Sequence, residues 1–151
     1  MEIKKTDFIT VLSAERKITI SAIAAVNTEV CSALMRDAEQ HGLMVSGPWI
    51  FVFHDLPRDR DVVFRMEFCL PVSAGNAYQG RYALRALEPI LCASRHHQGP
   101  LQNLFSEGYE PLLQGVNTAG YALSGESREI YHRWQGPDAA DNHIEVQFGL
   151  R

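Results

Sequence analysis

The stretch GLMVSGPWIFVFH, Gly42 to His54, meets a second stretch of the same design, GYALSGESREIYH, Gly120 to His132. Both begin with the glycine expected to stop a helix and then carry Ser-Gly at a turn. Both run on through β-branched and aromatic residues to a histidine. The displacement is 78 residues, the same that carries Glu67 onto Glu145. Under it Ser46 and Gly47 fall on Ser124 and Gly125, and Val45, Val52 and Phe53 meet Leu123, Ile130 and Tyr131. The chain therefore reads as one unit written twice.

Working outward from Gly42, residues from about Ser21 to His41 place Val26, Val30, Leu34 and Ala38 four apart, one face of a helix. Phe8 to Ile20 reads as a strand broken near Ala14-Glu15. Trp49 to Phe53 is a second strand, and Val62 to Leu70 a third, closed by Pro71. Outward from Gly120, Gly99-Pro100 opens a helix marked by Leu101, Leu104, Tyr109, Leu112 and Val116, which Pro111 should kink. Arg81 to His97 precedes it as mostly strand, with Pro89 at an edge or bulge. Tyr121 to Trp134 and His143 to Leu150 follow as strands. The expected fold is α+β: a duplicated strand-helix-strand-strand unit with pseudo-twofold symmetry. An antiparallel sheet would carry two helices on one face and a ligand groove between them. The whole chain, 1–151, is expected to be a single effector-binding domain, with halves at about 1–75 and 79–151.

Composition excludes several classes. The 151 residues are 46% hydrophobic and 21% charged, which supports a packed core and not disorder. A net charge of −4 gives no attraction to a polyanion, so direct nucleic-acid binding is not expected. Cys31, Cys69 and Cys92 are scattered with no C-x-x-C pair, which reads as reduced thiols in a cytoplasmic protein. Glu15, Arg16 and Lys17 interrupt any apolar stretch after the start, so no signal peptide is read, and no uncharged run is long enough to span a bilayer. There is no P-loop, G-x-S-x-G elbow, H-E-x-x-H or dinucleotide fingerprint, and no cofactor is expected. His96 and His97 must point to opposite faces of a strand. His54, His132 and His143 could approach across strands but lack ligand spacing, so no metal is expected.

The ordered set His97-Gln98-Gly99-Pro100, Leu104, Tyr109, Leu112, Gly120-Tyr121, Ser124-Gly125, Glu129-Ile130-Tyr131 and Glu145-Val146-Gln147 resembles the GyrI-like (gyrase-inhibitory-protein-like) effector-binding domain. That bacterial domain also ends AraC-type and MerR-type multidrug-responsive regulators. The resemblance covers essentially the whole chain. It implies a binder of bulky, flat, often cationic organic molecules, with an acidic residue on a strand beneath an aromatic pocket. That role falls to Glu129, with Tyr131 beside it. Three residues depart from the pattern: Leu101 stands where an aromatic is usual, Gly115 where Trp is frequent, and Pro111 is unusual in this helix. A groove roomier than in relatives is therefore expected.

Strand alternation puts Glu129 and Tyr131 on one face, and the repeat makes Phe51 and Phe53 their counterparts, with Trp49 on the same face. Tyr109 and Leu112 of the helix complete the expected ligand-binding set. A carboxylate among aromatics selects charge sign through ion pairing and cation–π attraction and is tolerant of shape. The expected function is a stand-alone small-molecule-binding protein for lipophilic, cationic, drug-like compounds, acting in sequestration or transcription regulation. No helix-turn-helix fits in the chain, so any regulatory output would need a separate protein partner. The alternatives are a GyrI-like hydrolase of strained electrophilic compounds, with Glu129 as general base, and an interaction module such as a gyrase inhibitor.

Overall fold

The computed structural model describes residues 1–73 and 77–151, so the half boundary expected near residue 75 lies outside the described residues. Among the described residues nine strands and two α-helices form an antiparallel α+β fold. Two compact units are present, Phe8–Glu88 and a second made of Met1–Asp7 with Pro89–Arg151.

In the unit Phe8–Glu88, β2 (Ile9–Ile18) leads through a short helical turn to α1 (Ile23–Gln40), then β3 (Met44–Val45), β4 (Ile50–His54), β5 (Phe64–Ser73) and β6 (Ala83–Leu87). The sheet order is β4-β5-β2-β6, with β3 on β5. The expected break at Ala14-Glu15 does not occur. β2 is paired along Val11–Ile18 with β5, so the ladder holds its charged end straight. β5 likewise runs through Pro71, because proline lacks only the N–H, and its carbonyl still accepts from Ser46 N at 2.9 Å.

In the other unit, β1 (Glu2–Lys5) pairs with β7 (Leu91–Gln98), and the order is β1-β7-β9-β8, with β8 at Leu123–Arg133 and β9 at His143–Leu150. β1 was not foreseen: its Lys4-Lys5 end has no apolar alternation, and only the open edge of β7 specifies it. The expected strand Arg81 to His97 is two strands in two units, parted at Pro89, whose missing N–H and restricted neighbour end a ladder.

Both α-helices close in the same way. Leu43 N bonds Ala38 O at 2.9 Å and Tyr121 N bonds Val116 O at 3.1 Å, around Gly42 at φ +68° and Gly120 at φ +80°. These left-handed positions are why glycine recurs at the stop. The second helical segment is irregular: a 3-10 turn at Leu101–Asn103, a π turn at Phe105–Tyr109, and then α2 (Glu110–Ala119). Pro111 sits in the first turn of α2, and the expected irregularity falls just before it. The carbonyl of Glu107, which a residue-111 N–H would have bonded, accepts instead from Arg95 Nε at 2.8 Å. Leu112 and Val116 turn inward onto Ile144, Val146 and Phe148 of β9, the core of this unit.

Candidate functional site

Register decides which β8 side chains face the helical segment. Ser127, Glu129 and Tyr131 lie opposite Phe148, Val146 and Ile144, so they share the face that holds this core. Arg128 is on the other face, where its Nε meets Glu126 at 2.7 Å, and Arg133 pairs with Asp141 at 2.9 Å. Among the described residues no ion pair involves Glu129.

What holds Glu129 is a pair of phenols. Tyr131 Oη donates to Oε1 at 2.9 Å, and Tyr109 Oη donates to Oε2. The two hydroxyls come from different elements. Tyr131 stands two residues along the same strand face, and the π turn delivers Tyr109 from above. Wide turns of this kind recur at functional sites because they re-aim a side chain without ending the helix. Glu129 is only 9% exposed. Burial pushes its carboxyl above the ordinary value, and the two phenol hydrogen bonds oppose that shift. Burial and the neighbouring carboxylate push the Tyr109 hydroxyl well above its ordinary value, so it remains a donor.

Further aromatic rings pack on these two tyrosines. Tyr109 lies 5.7 Å from Phe148 and 6.3 Å from Phe105, ring centre to ring centre, and Tyr131 meets Trp134 edge-on at 5.3 Å. Phe105, Phe148 and Trp134 were not among the expected site residues. Their only signal was aromatic character near Tyr109 and Tyr131. Leu112, fully buried, supports the group from the core and has no exposed surface to offer a ligand.

The structure thus brings together Glu129, Tyr131, Tyr109 and Leu112. Trp49, Phe51 and Phe53 belong to the other unit. There Trp49 stacks on Phe51 at 6.1 Å, Phe51 meets Phe68 edge-on at 5.8 Å, and Phe53 lies 6.2 Å from Phe64. Phe51 and Phe53 are buried and Trp49 is half-buried. Gly115 does not open space as expected. A Cβ built on it would meet Met1 Sδ at 2.9 Å, so the N-terminal residue occupies that room. Leu101 packs against the core of its unit. His97 is buried at the start of the helical segment, its Nε2 at 3.2 Å from Pro100 O.

On the opposite face of the same sheet, Glu145 is almost wholly buried and collects Lys4 Nζ at 2.7 Å, Ser94 Oγ at 2.7 Å, Gln147 Nε2 at 2.8 Å and His132 Nε2 at 2.8 Å. Burial alone would raise this carboxyl, but those hydrogen bonds outweigh it and hold it well below the usual carboxylate range. Among the described residues no helix is long and apolar enough to cross a membrane.

No protein-family model matches the sequence, and no curated protein matches it. Solved structures do match in fold. The C-terminal domain of EcmrR superposes with a TM-score of 0.80 at 21% identity, over 99% of this chain and 96% of that one. In the EcmrR–DNA complex the match spans 56% of the EcmrR chain. SAV2435 bound to tetraphenylphosphonium matches with a TM-score of 0.66 at 10% identity, over 100% of this chain and 94% of that one. A hydrolase encoded by lin2189 from Listeria innocua matches at 0.61 and 13%, over 99% and 91%. The chain has the fold of the EcmrR C-terminal domain.

Proposed function

We propose that this chain is a GyrI-like ligand-binding domain for lipophilic organic cations, working in the cytoplasm as a drug-sequestering or effector-sensing protein. The observation that carries this reading is the buried Glu129 carboxylate, held by two phenol hydroxyls on which further aromatic rings pack, and paired with no cation among the described residues. A buried carboxylate with neutral partners keeps a large part of its charge uncompensated. A delocalised cation supplies that compensation at low desolvation cost, and the rings add about 0.5–2 kcal/mol each. The likeness to SAV2435 bound to tetraphenylphosphonium supports the same ligand class, and the likeness to EcmrR supports a sensing role whose output lies in another protein or segment.

Fluorescence titration with tetraphenylphosphonium and with a neutral aryl ligand of like size tests the reading. Glu129→Gln should weaken the cation by about 1–3 kcal/mol and leave the neutral ligand nearly unchanged. Equal loss for both ligands would make Glu129 a structural residue. A second reading, hydrolysis, rests on the same acid with its raised pKa and on the likeness to the lin2189 hydrolase. Ligand recovered unchanged after prolonged incubation excludes it.

A further inference from the structure

We propose that His96, His132 and His143 form a binding site for a divalent transition-metal ion of the zinc, copper and nickel class, on the sheet face opposite Glu129. The three histidines come from three adjacent strands. His96 stands on β7 directly across from Glu145, and His143 opens β9. His132 lies in the register shift between Tyr131 and Arg133, where the bulge of β8 swings it beside His143.

One ring nitrogen of each lies within 4.8 Å of those of the other two. His96 Nδ1 and His143 Nε2 are already 2.7 Å apart. Tetrahedral zinc, with Zn–N of about 2.0–2.1 Å, wants its donors ~3.4 Å apart, so the site needs ring movements of about an ångström. His96 and His132 are exposed, so core packing does not block these movements. Imidazole nitrogens are borderline donors, the set that zinc, copper and nickel prefer over calcium or magnesium.

The surroundings support ligation. His132 Nε2 meets Glu145 Oε1 at 2.8 Å, and His96 Nε2 lies 3.9 Å from the same oxygen. A buried carboxylate that holds the far nitrogen of a histidine fixes its tautomer and leaves the other nitrogen as a lone-pair donor. Glu145 therefore stands behind two of the three ligands as a positioning residue. Three histidines leave a fourth position for water or an anion. The bound ion would clamp β7, β8 and β9 together.

The other unit provides the internal control. His54 Nε2 meets Glu67 Oε2 at 2.6 Å, the counterpart of His132 and Glu145. Where ladder register places His96 and His143 here, it places Glu15 and Arg65 there, an ion pair at 3.5 Å. At these ladder positions that unit has His54 alone, its other histidine, His41, standing at the end of α1, so the positions cannot chelate.

The test is calorimetric titration of the untagged full chain with zinc chloride, and with cobalt(II) for its visible spectrum. One ion per chain is expected, with a dissociation constant below about 10 μM. The cobalt band should have the intensity of four-coordinate geometry. His96→Gln and His143→Gln should each weaken zinc by at least ~30-fold, and His54→Gln should leave it unchanged. His96 is exposed, so its variant keeps the fold if His143→Gln does not. Absence of one-to-one binding at about 100 μM zinc would overturn the site. Binding that survives His96→Gln, or that falls equally in His54→Gln, would overturn it as well.

Discussion

The two units carry one scaffold and two chemistries. On the helix-facing side of the sheet, Phe51 lies across from Phe68 and Phe53 across from Met66, while Glu129 lies across from Val146 and Tyr131 from Ile144. The ladder positions are equivalent, and the displacement is again 78. One unit fills them with aromatic core, and the other places an acid and its phenol there. On the far side the units converge: His54 and Arg85 hold Glu67 as His132 and Lys4 hold Glu145. Lys4 and Arg85 sit on strands that pair alike, β1 on β7 and β6 on β2, so each unit completes itself with an edge strand and a cation. The lesson is that equivalent packing positions can carry different chemistry, whereas each buried acid stands where donors close on it: His54 and Arg85 on Glu67, His132 and Lys4 on Glu145, and two phenols on Glu129.

The sharpest way to break this comparison is to put the acid in the wrong unit. Phe51→Glu should destabilise the protein by more than about 3 kcal/mol in urea denaturation, because that buried position packs against the Trp49 and Phe68 rings. A cost below about 1 kcal/mol would show that Tyr109 and Tyr131 are not what makes Glu129 tolerable.

Next in size is a test of the shared scaffold. Leu34 and Leu112 occupy equivalent helix positions and are both fully buried. Leu34→Ala and Leu112→Ala should each cost about 2–5 kcal/mol and agree within about 1 kcal/mol. A much smaller cost for Leu112→Ala would mean that the unit with the irregular helix packs more loosely.

The smallest effect sharpens the difference in chemistry. Burial raises the Glu129 carboxyl in the ligand-free protein, and a bound cation favours the ionised form and lowers it. Above the ligand-free value the acid is already charged, and affinity for tetraphenylphosphonium is flat with pH. Below that value binding must release a proton, so affinity falls as pH falls, by up to about tenfold per unit, until the ligand-bound value is reached. Tyr109 and Tyr131 donate to this carboxylate, and Arg95 lies on the same sheet face, across Val146 from Glu129. Calorimetry in two buffers of different ionisation enthalpy measures the released proton. No proton release near the midpoint, with Glu129 intact, would remove the buried-acid mechanism.

Much of the fold was legible because it rests on local signals. Gly42 and Gly120 mark the helix stops, the apolar spacing Val30-Leu34-Ala38 marks a helix face, and alternation puts Glu129 and Tyr131 on one side of a strand. The site was half legible. Tyr109, Glu129 and Tyr131 stood in the expected set, but nothing local shows that both hydroxyls close on one carboxylate, since a π turn sets the height of Tyr109. Gly115 was misread as open space because its occupant, Met1, is more than a hundred residues away in sequence. His96 was missed as a neighbour of His132 and His143 because only pairing between separate strands brings the three together.

By itself, then, the sequence determined the duplicated units, most of their strands and helices and the face that Glu129 shares with Tyr131. These follow from periods of two and 3.6 residues and from glycine stops, all set within a few residues of chain. The tertiary structure alone decided which partners meet the buried acids: the edge strand β1 on β7, the bulge that turns His132 toward His143, and the turn that lowers Tyr109 onto Glu129. Register between distant strands obeys side-chain packing and ladder hydrogen bonding summed over the whole sheet, and no short stretch of sequence carries that sum.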